Sequence, residues 1–499
     1  MSILKKPASI TPSPLSSTVI LFLLAAPIVV LLYASFVFNP FNADNLILYV
    51  IQVIADSISI IVLMSLWLTI LMDVLVAHHH RIHKPMQPEA LFLHEPTIDV
   101  MITVAGEPIE ILRETFDGVS KMDHPHKTFV LDDGKSAEVA ALAREHGFYY
   151  VNRDTKNFAK AGNLNHGLRY STGEFFAIFD ADQVPQPDFL TTLLPYMLDP
   201  KIGMVQSPQH FTNTQYFIAS GTAQAQEIFY SHICPAKNIS NSAFCVGTNV
   251  LFRRAAVDGI GGIAQVGHSE DIWTSFLLHE AGWKTIFVNK ILASGKAPIT
   301  ISAFFKQQLR WSKGGLSMLL LHNPLFSESL TIDQKLQYFS SNFFYLVGFS
   351  IFAYLLFPLL YLLFDVKSLH TESGIIWLLH YLPYFFLYYS LTWLLLGKIK
   401  ISTLATALGS FYPYILAFIS VIFGTKIKWT ATTSAKSKSM VLIQWIWPHV
   451  FLIILTLFAF VIGWYKPVNF WTTVYNTIWA GVNLYLLFVF ITAEKRKAI

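Results

Sequence analysis

Cysteine and charge are what this chain has least of. Its 499 residues include 2 cysteines, Cys234 and Cys245, too few for a disulfide framework. Charged side chains make up 13%, against roughly 25% in an average soluble domain. With 54% hydrophobic and 15% aromatic residues, the composition argues against a purely soluble enzyme. The scarce charge is also uneven. Residues 78–335 hold 22 Lys/Arg and 25 Asp/Glu, and the flanks hold 13 and 6. A mildly acidic, near-soluble block therefore sits between apolar, basic ends. Lacking a basic excess, it is not expected to bind nucleic acid. Internal repeats and low-complexity linkers are missing too.

A helix needs about 20 mostly apolar residues to cross a bilayer. Six stretches qualify: 18–38, 51–74, 339–364, 374–397, 441–465 and 470–492. A seventh, 401–425, is uncharged but sprinkled with hydroxyls and interrupted by Pro413. The positive-inside rule bears on it. Laid flat at the interface, it leaves Lys426, Lys428, Lys436, Lys438, Lys495, Arg496 and Lys497 on one side with Lys5, Lys6 and the middle block. The expectation is six spans plus an amphipathic interfacial helix, with the first span a retained anchor rather than a cleaved signal.

In the middle block, β-rich runs at 99–104, 128–131, 175–179, 203–206 and 284–288 alternate with helical segments at 107–120, 136–146, 160–170 and 271–281. This predicts an α/β domain with a largely parallel sheet, which binds ligands beyond the carboxyl ends of its strands. Asp132-Asp133-Gly134 and Asp180-Ala181-Asp182 stand at such ends. Two carboxylates at i and i+2 suit Mg²⁺ (or Mn²⁺), which completes its shell with water and phosphate oxygens. Taken alone, the pattern is more simply a turn in which aspartates bond backbone amides. Lys160-Ala161-Gly162-Asn163 opens a helix, a place for phosphate or ribose. Ser269-Glu270-Asp271 opens another, as an N-cap with first-turn acids or as a general base. Gln307-Gln308-Leu309-Arg310-Trp311 sets a bidentate phosphate binder beside an indole suited to a sugar face; an interfacial helix with a belt Trp is the plainer reading.

The series DDG (132–134), DxD (180–182), SED (269–271) and QxxRW (307–311) resembles the processive family-2 glycosyltransferases, with the bacterial cellulose synthases nearest. FAKAGNLN (158–165), FDADQVPQPDFL (179–190), VQSPQHF (205–211), IFY (228–230) and RWSKGG (310–315) extend the likeness. The resemblance implies a GT-A-type α/β glycosyltransferase domain inserted in an α-helical transmembrane bundle. It divides the chain into a transmembrane pair (1–77), a cytoplasmic catalytic domain (78–300), interfacial helices with QxxRW (301–338), a second pair (339–397), an interfacial helix with a gating-like loop (398–440), and a last pair with a tail (441–499). It implies Asp271, flanked by Glu270, as the catalytic base, and Asp180 and Asp182 as metal and diphosphate ligands. Asp132 and Asp133 would take the nucleoside. Glu107, Lys160, Gln307, Arg310, Trp311, Phe229 and Tyr230 complete the substrate set.

The implied reaction is polymerisation of a sugar from a UDP-sugar, most simply UDP-glucose into a β-glucan such as cellulose. Inversion and export of the growing polysaccharide through the chain's own channel go with it. Other β-linked polymers (hyaluronan-, chitin- or mannuronan-like) are the alternative, and a transporter or scaffold with a degenerate transferase domain is the other. The implied partners are the nucleotide sugar, the polymer, the lipid bilayer and accessory export subunits; the implied location is the inner membrane, multi-pass. Three departures stand out. In the loop 427–436 Thr432 replaces the family's last lysine, Cys245 sits one place early in the acceptor-site pattern, and no cyclic-di-GMP-binding PilZ domain is expected. Stacking along a glucan is expected of some among Tyr345, Phe357, Tyr361, Trp377, Tyr384 and Trp393. Asp56 is read as a wetted pore-mouth residue, the run His78–His83 as a cationic collar rather than a metal site, and both cysteines as structural.

Overall fold

The computed structural model describes residues 17–79, 95–266, 269–370, 374–425, 441–465, 469–494 and 496–497. The side chains of the histidine run 78–83, Lys5 and Lys6, and the loop 427–436 lie outside the described residues. Two helices come first, α1 (Ser17–Val37) and α2 (Leu46–His79). The middle block begins β1 (Ile98–Val104), α3 (Ile109–Val119), β2 (Lys127–Asp132), α4 (Ala137–Glu145), β3 (Tyr149–Val151), α5 (Ala159–Leu168) and β4 (Phe175–Asp180). It continues β5 (Val184–Pro185), α6 (Phe189–Leu193), β6 (Ile202–Gln206), α7 (Phe217–Ile228), α8 (Cys234–Lys237), β7 (Val250–Arg253), α9 (Arg254–Gly259), α10 (Glu270–Glu280), β8 (Lys284–Phe287) and β9 (Ala293–Ser294). Then come α11 (Ile301–Leu321), α12 (Ile332–Phe343), α13 (Val347–Phe364), α14 (Gly374–Leu396), α15 (Ile401–Gly409), α16 (Phe411–Ile422), α17 (Val441–Tyr465) and α18 (Phe470–Ile491).

Every residue of β1 is buried, because helices cover both faces of the sheet and a strand there has no polar side. One core, with Val100, Ile102 and Phe179, lies on one face; a second, with Met101, Phe176 and Ile178, lies on the other. The sheet has seven strands in the order β3-β2-β1-β4-β7-β6-β8. The sheet is largely parallel, as expected, and is made mixed by one strand, since β7 runs antiparallel to both β4 and β6. The cause is the excursion after β6. The chain crosses the carboxyl edge through α7 and α8, returns there, and so enters β7 from the opposite end. That reversal puts Gly247 and Thr248 at the strand ends where ligands bind. The short β3 and β7, and the β5–β9 pair, carry too few residues to register as periodic runs.

Among the described residues, six helical stretches are long and apolar enough to cross a membrane: Thr18–Val37, Leu46–Met72, Ile332–Phe364, Ile401–Ile422, Leu442–Tyr465 and Phe470–Ile491. The expected stretch 374–397 forms the uncharged 23-residue α14, which is not among these six, whereas 401–422 is. Yet 401–422 is two helices, and both its ends are held on the catalytic side. Gln224 of α7 bonds the backbone of Lys398 and Lys400 and the Thr403 hydroxyl at one end. Lys313 of α11 bonds the Thr425 carbonyl at the other. Asp56 is not at a wetted pore mouth: it is 0% exposed and accepts bonds from Tyr33, Gln52 and Tyr354. Cys234 and Cys245 are free and buried.

Candidate active site

The first acidic motif divides its labour. Asp132 is 0% exposed, with Oδ1 accepting from the Gly134 amide (2.6 Å) and Oδ2 from the Ser136 amide (2.8 Å) and Tyr150 hydroxyl (2.9 Å). The Asp132 carboxylate is thus taken up by the turn after β2 and not by the expected nucleoside site. Asp133 instead takes Arg153 in a fork, Nε at 2.7 Å and Nη2 at 2.8 Å. The same guanidinium donates to the carbonyls of Asn157 (2.7 Å) and Ala159 (2.6 Å), fixing the loop before α5. Gly162 is required there, since a Cβ would lie 2.1 Å from the Asn157 carbonyl oxygen.

Lys160, in the first turn of α5, bonds Asp180 Oδ1 and, at 2.7 Å, the Gly247 carbonyl. Thr103 donates to the same Asp180 oxygen at 3.3 Å, and the Asp180 amide donates to Thr248 at 3.0 Å. Burial, then the neighbouring carboxylates of Asp180 and Glu107, push Asp182 up to about 7. Burial likewise raises Glu107, whose Oε2 accepts from the Ala105 amide. This crowding of negative charge is what a cation would relieve. Among the described residues, no three His, Cys, Asp or Glu groups form a metal cluster. The donors are thus two carboxylates with oxygen chemistry only, a set that fits Mg²⁺ or Mn²⁺ once phosphate oxygens join.

At the start of α10, burial and then Glu270 push Asp271 up to about 7, while Lys160 and Arg310 pull the other way. Ser269 stands at the N-cap position and Glu270 and Asp271 in the first turn, as the plainer reading has it, but the Ser269 side chain makes no capping bond. Its hydroxyl packs on α11 instead, where a Cβ on Gly314 would meet it at 1.7 Å. Two motifs 45 positions apart are thereby locked together, each fixing the other's position. Arg310 makes no ion pair and no other ring stacks on Trp311 among the described residues, so both are open to a ligand. Phe229 and Tyr230 lie in a π-helical turn that follows α7.

One cavity of about 1750 Å³ joins these groups to the helical bundle. Glu107, Asp133, Lys160, Asp180, Asp182, Phe229, Tyr230, Glu270, Asp271, Gln307, Arg310 and Trp311 all line it, and Asp132 does not. Farther in, it is lined by Ser59, Tyr354, Trp377, Tyr384, Trp479 and Asn483. No charged side chain of α2, α13, α14, α17 or α18 lines it among the described residues. Of the aromatics singled out from the sequence, Tyr345, Trp377 and Tyr384 face it; Phe357, Tyr361 and Trp393 do not. Sequence reasoning missed Arg153, Thr103 and Thr248, which support the acidic groups without any spacing pattern.

Residues 96–314 match the family model described as glycosyltransferase-like family 2, and residues 260–491 match the cellulose synthase model. Cellulose synthase 2 of Novacetimonas hansenii is 33% identical over 288 residues, covering 56% of this chain and 18% of that protein. The UDP-forming cellulose synthase catalytic subunit of Pseudomonas fluorescens (strain SBW25) is 31% identical over 287 residues, covering 56% of this chain and 39% of its own length. Less than two thirds of either relative is therefore spanned. The solved mannosyltransferase PcManGT of Pyrobaculum calidifontis, in complex with GDP-Man and Mn²⁺, aligns with a TM-score of 0.53 at 15% identity over 74% of this chain and 100% of that one. The α/β domain thus has a GT-A-like fold.

Proposed function

We infer that this chain, which joins a family-2-like glycosyltransferase domain to a cellulose synthase domain, is a processive, inverting, UDP-forming membrane glycosyltransferase that polymerises a neutral hexose, UDP-glucose being the donor of choice. The observation that carries the reading is the continuous cavity, charged at the strand ends and, along α2, α13, α14, α17 and α18, uncharged among the described residues. An acidic polymer would drag a carboxylate per repeat past bundle helices whose described side chains offer no counter-charge, at a steep desolvation cost. A neutral glucan, with hydroxyl edges and apolar ring faces, matches the hydroxyls and rings there. The hyaluronan- and mannuronan-like alternatives are disfavoured on this ground.

In the mechanism, Asp271 accepts the proton of the acceptor hydroxyl as its oxygen attacks the anomeric carbon. The bond from that carbon to the diphosphate breaks on the opposite face, so an α-linked donor becomes a β-linked unit and UDP departs. A carboxylate with a pKa near 7 is well matched to this task. Arg310 offers its fork to the departing diphosphate, and Trp311 a flat face to the terminal sugar. Asp180 and Asp182 would hold a divalent cation, which neutralises charge on the leaving group when bound. Lys160 holds Asp180 in place beside it.

The domain boundaries expected from the sequence are retained in this reading, with the catalytic domain cytoplasmic and the spans in the inner membrane. The anchoring of both ends of 401–425 on the catalytic side supports its placement along the membrane surface. The test is to supply the purified chain with Mg²⁺ or Mn²⁺ and labelled UDP-glucose, UDP-N-acetylglucosamine, UDP-glucuronate or GDP-mannose, then digest the product with linkage-specific hydrolases. A β-glucan from UDP-glucose alone is expected; a uronate-containing product would overturn the reading.

A further inference from the structure

Phe158 is an apolar side chain that is 59% exposed, yet it lines the catalytic cavity. Its backbone lies in the left-handed region (φ 59°, ψ 22°), and Ala159 follows at φ 42°. Neither is glycine, so this conformation costs free energy and persists only where the surroundings impose it. Here they do. Arg153 grips the carbonyls on both sides of Phe158, at Asn157 and Ala159, and is itself held by the buried fork to Asp133. The apparatus spends a buried ion pair on presenting one exposed ring.

The order of groups along the strand ends says what that ring meets. Asp133 follows β2, while Asp180 and Asp182 stand at the end of β4, on the other side of β1. Lys160, two residues after Phe158, reaches Asp180, and Asp271 lies beyond on α10. A nucleotide sugar with its diphosphate at Asp180 and its anomeric carbon toward Asp271 therefore points its nucleoside back toward Asp133 and Phe158. We propose that Phe158 is a donor-binding residue on which the nucleobase stacks, its ring held ready by the Arg153–Asp133 fork. The inference rests on the nucleotide-sugar reading above.

The test compares binding of UDP and of pyrophosphate, each with Mn²⁺, to the full detergent-solubilised chain by titration calorimetry. Pyrophosphate reports the Asp180–Lys160 end alone. Loss of a base–aromatic stack should weaken UDP binding about tenfold in Phe158→Ala and leave pyrophosphate unchanged. Phe158→Tyr, which keeps the ring, should bind UDP within about twofold of wild type. Undiminished UDP binding by Phe158→Ala overturns the proposal. So does equal weakening of both ligands, which would make Phe158 a mere support for the start of α5. If the wild-type chain binds pyrophosphate but not UDP, the nucleotide-donor reading itself falls, and that result is distinct from either.

Discussion

The two ends of the cavity bury carboxylates in opposite ways. At the strand ends and the start of α10, Asp180, Asp182, Glu270 and Asp271 line one stretch of the cavity with Lys160 and Arg310 among them, and burial lifts Asp182 and Asp271 to about 7. In the bundle, Asp56 lies behind the cavity wall, satisfied by Tyr33, Gln52 and Tyr354, while Tyr354 itself lines the cavity. One end keeps its charge imbalance for a ligand to resolve; the other has resolved its charge internally. In the proposed function, the difference is what a catalyst joined to a conduit requires: charge where a diphosphate would leave, and hydroxyls and rings where a sugar chain would slide.

That contrast can be broken at its charged end first. Asp271→Asn keeps the shape and removes the base, so polymer formation should fall by about 10³-fold or more while UDP binding persists. Labelled-product and calorimetric assays would separate the two. Retained synthesis would mean that the proton goes elsewhere. Next, because Asp271 acts as the carboxylate and its pKa is raised to about 7, turnover should decline as pH falls through about 7. A rate flat down to pH 5 would show that an unshifted acid is at work.

Smaller effects test the joint between the ends. Gly314→Ala would drive a methyl into the Ser269 hydroxyl, displacing α11 and lowering turnover; adding Ser269→Gly should recover much of the loss. No recovery in the double variant would refute the contact. On the bundle side, Asp56→Ala leaves the buried Tyr33 and Gln52 donors without their acceptor, at about 1–3 kcal/mol each, whereas Asp56→Asn keeps an oxygen for them. Thermal unfolding in detergent should rank wild type, Asn, then Ala, with UDP binding unchanged throughout. The smallest effect is expected from Trp479→Ala, which should shorten the polymer by sizing chromatography and leave the initial rate of UDP release nearly intact.

Much of the site was legible in advance because its chemistry is local. Asp180-Ala181-Asp182, Lys160 and Ser269-Glu270-Asp271 each sit at the end of a strand or the start of a helix whose periodicity is strong, and all of them line the cavity. Asp132 misled because two adjacent aspartates look alike in sequence; only the backbone turn decides that one points inward to Gly134 and Ser136. Asp56 misled for a related reason. A carboxylate in an apolar helix reads as wet until its partners are known, and those come from helices 23 and 298 positions away. The sheet's mixed character was hidden in four residues, β7, whose direction is set by the route of the chain rather than by its own sequence.

Composition and pattern alone therefore determined that a charged α/β domain sits among apolar helices and which acids end its strands, because burial of a strand or a span leaves a periodic, local mark. The tertiary structure decided which of those acids face the cavity, that Arg153 and Gly314 join motifs distant in the chain, and that α2, α13, α14, α17 and α18 add no charge to its lining among the described residues. Those are properties of side chains brought together from separate elements, where hydrogen bonds and close packing act over a few ångströms, with no fixed interval along the sequence to betray them.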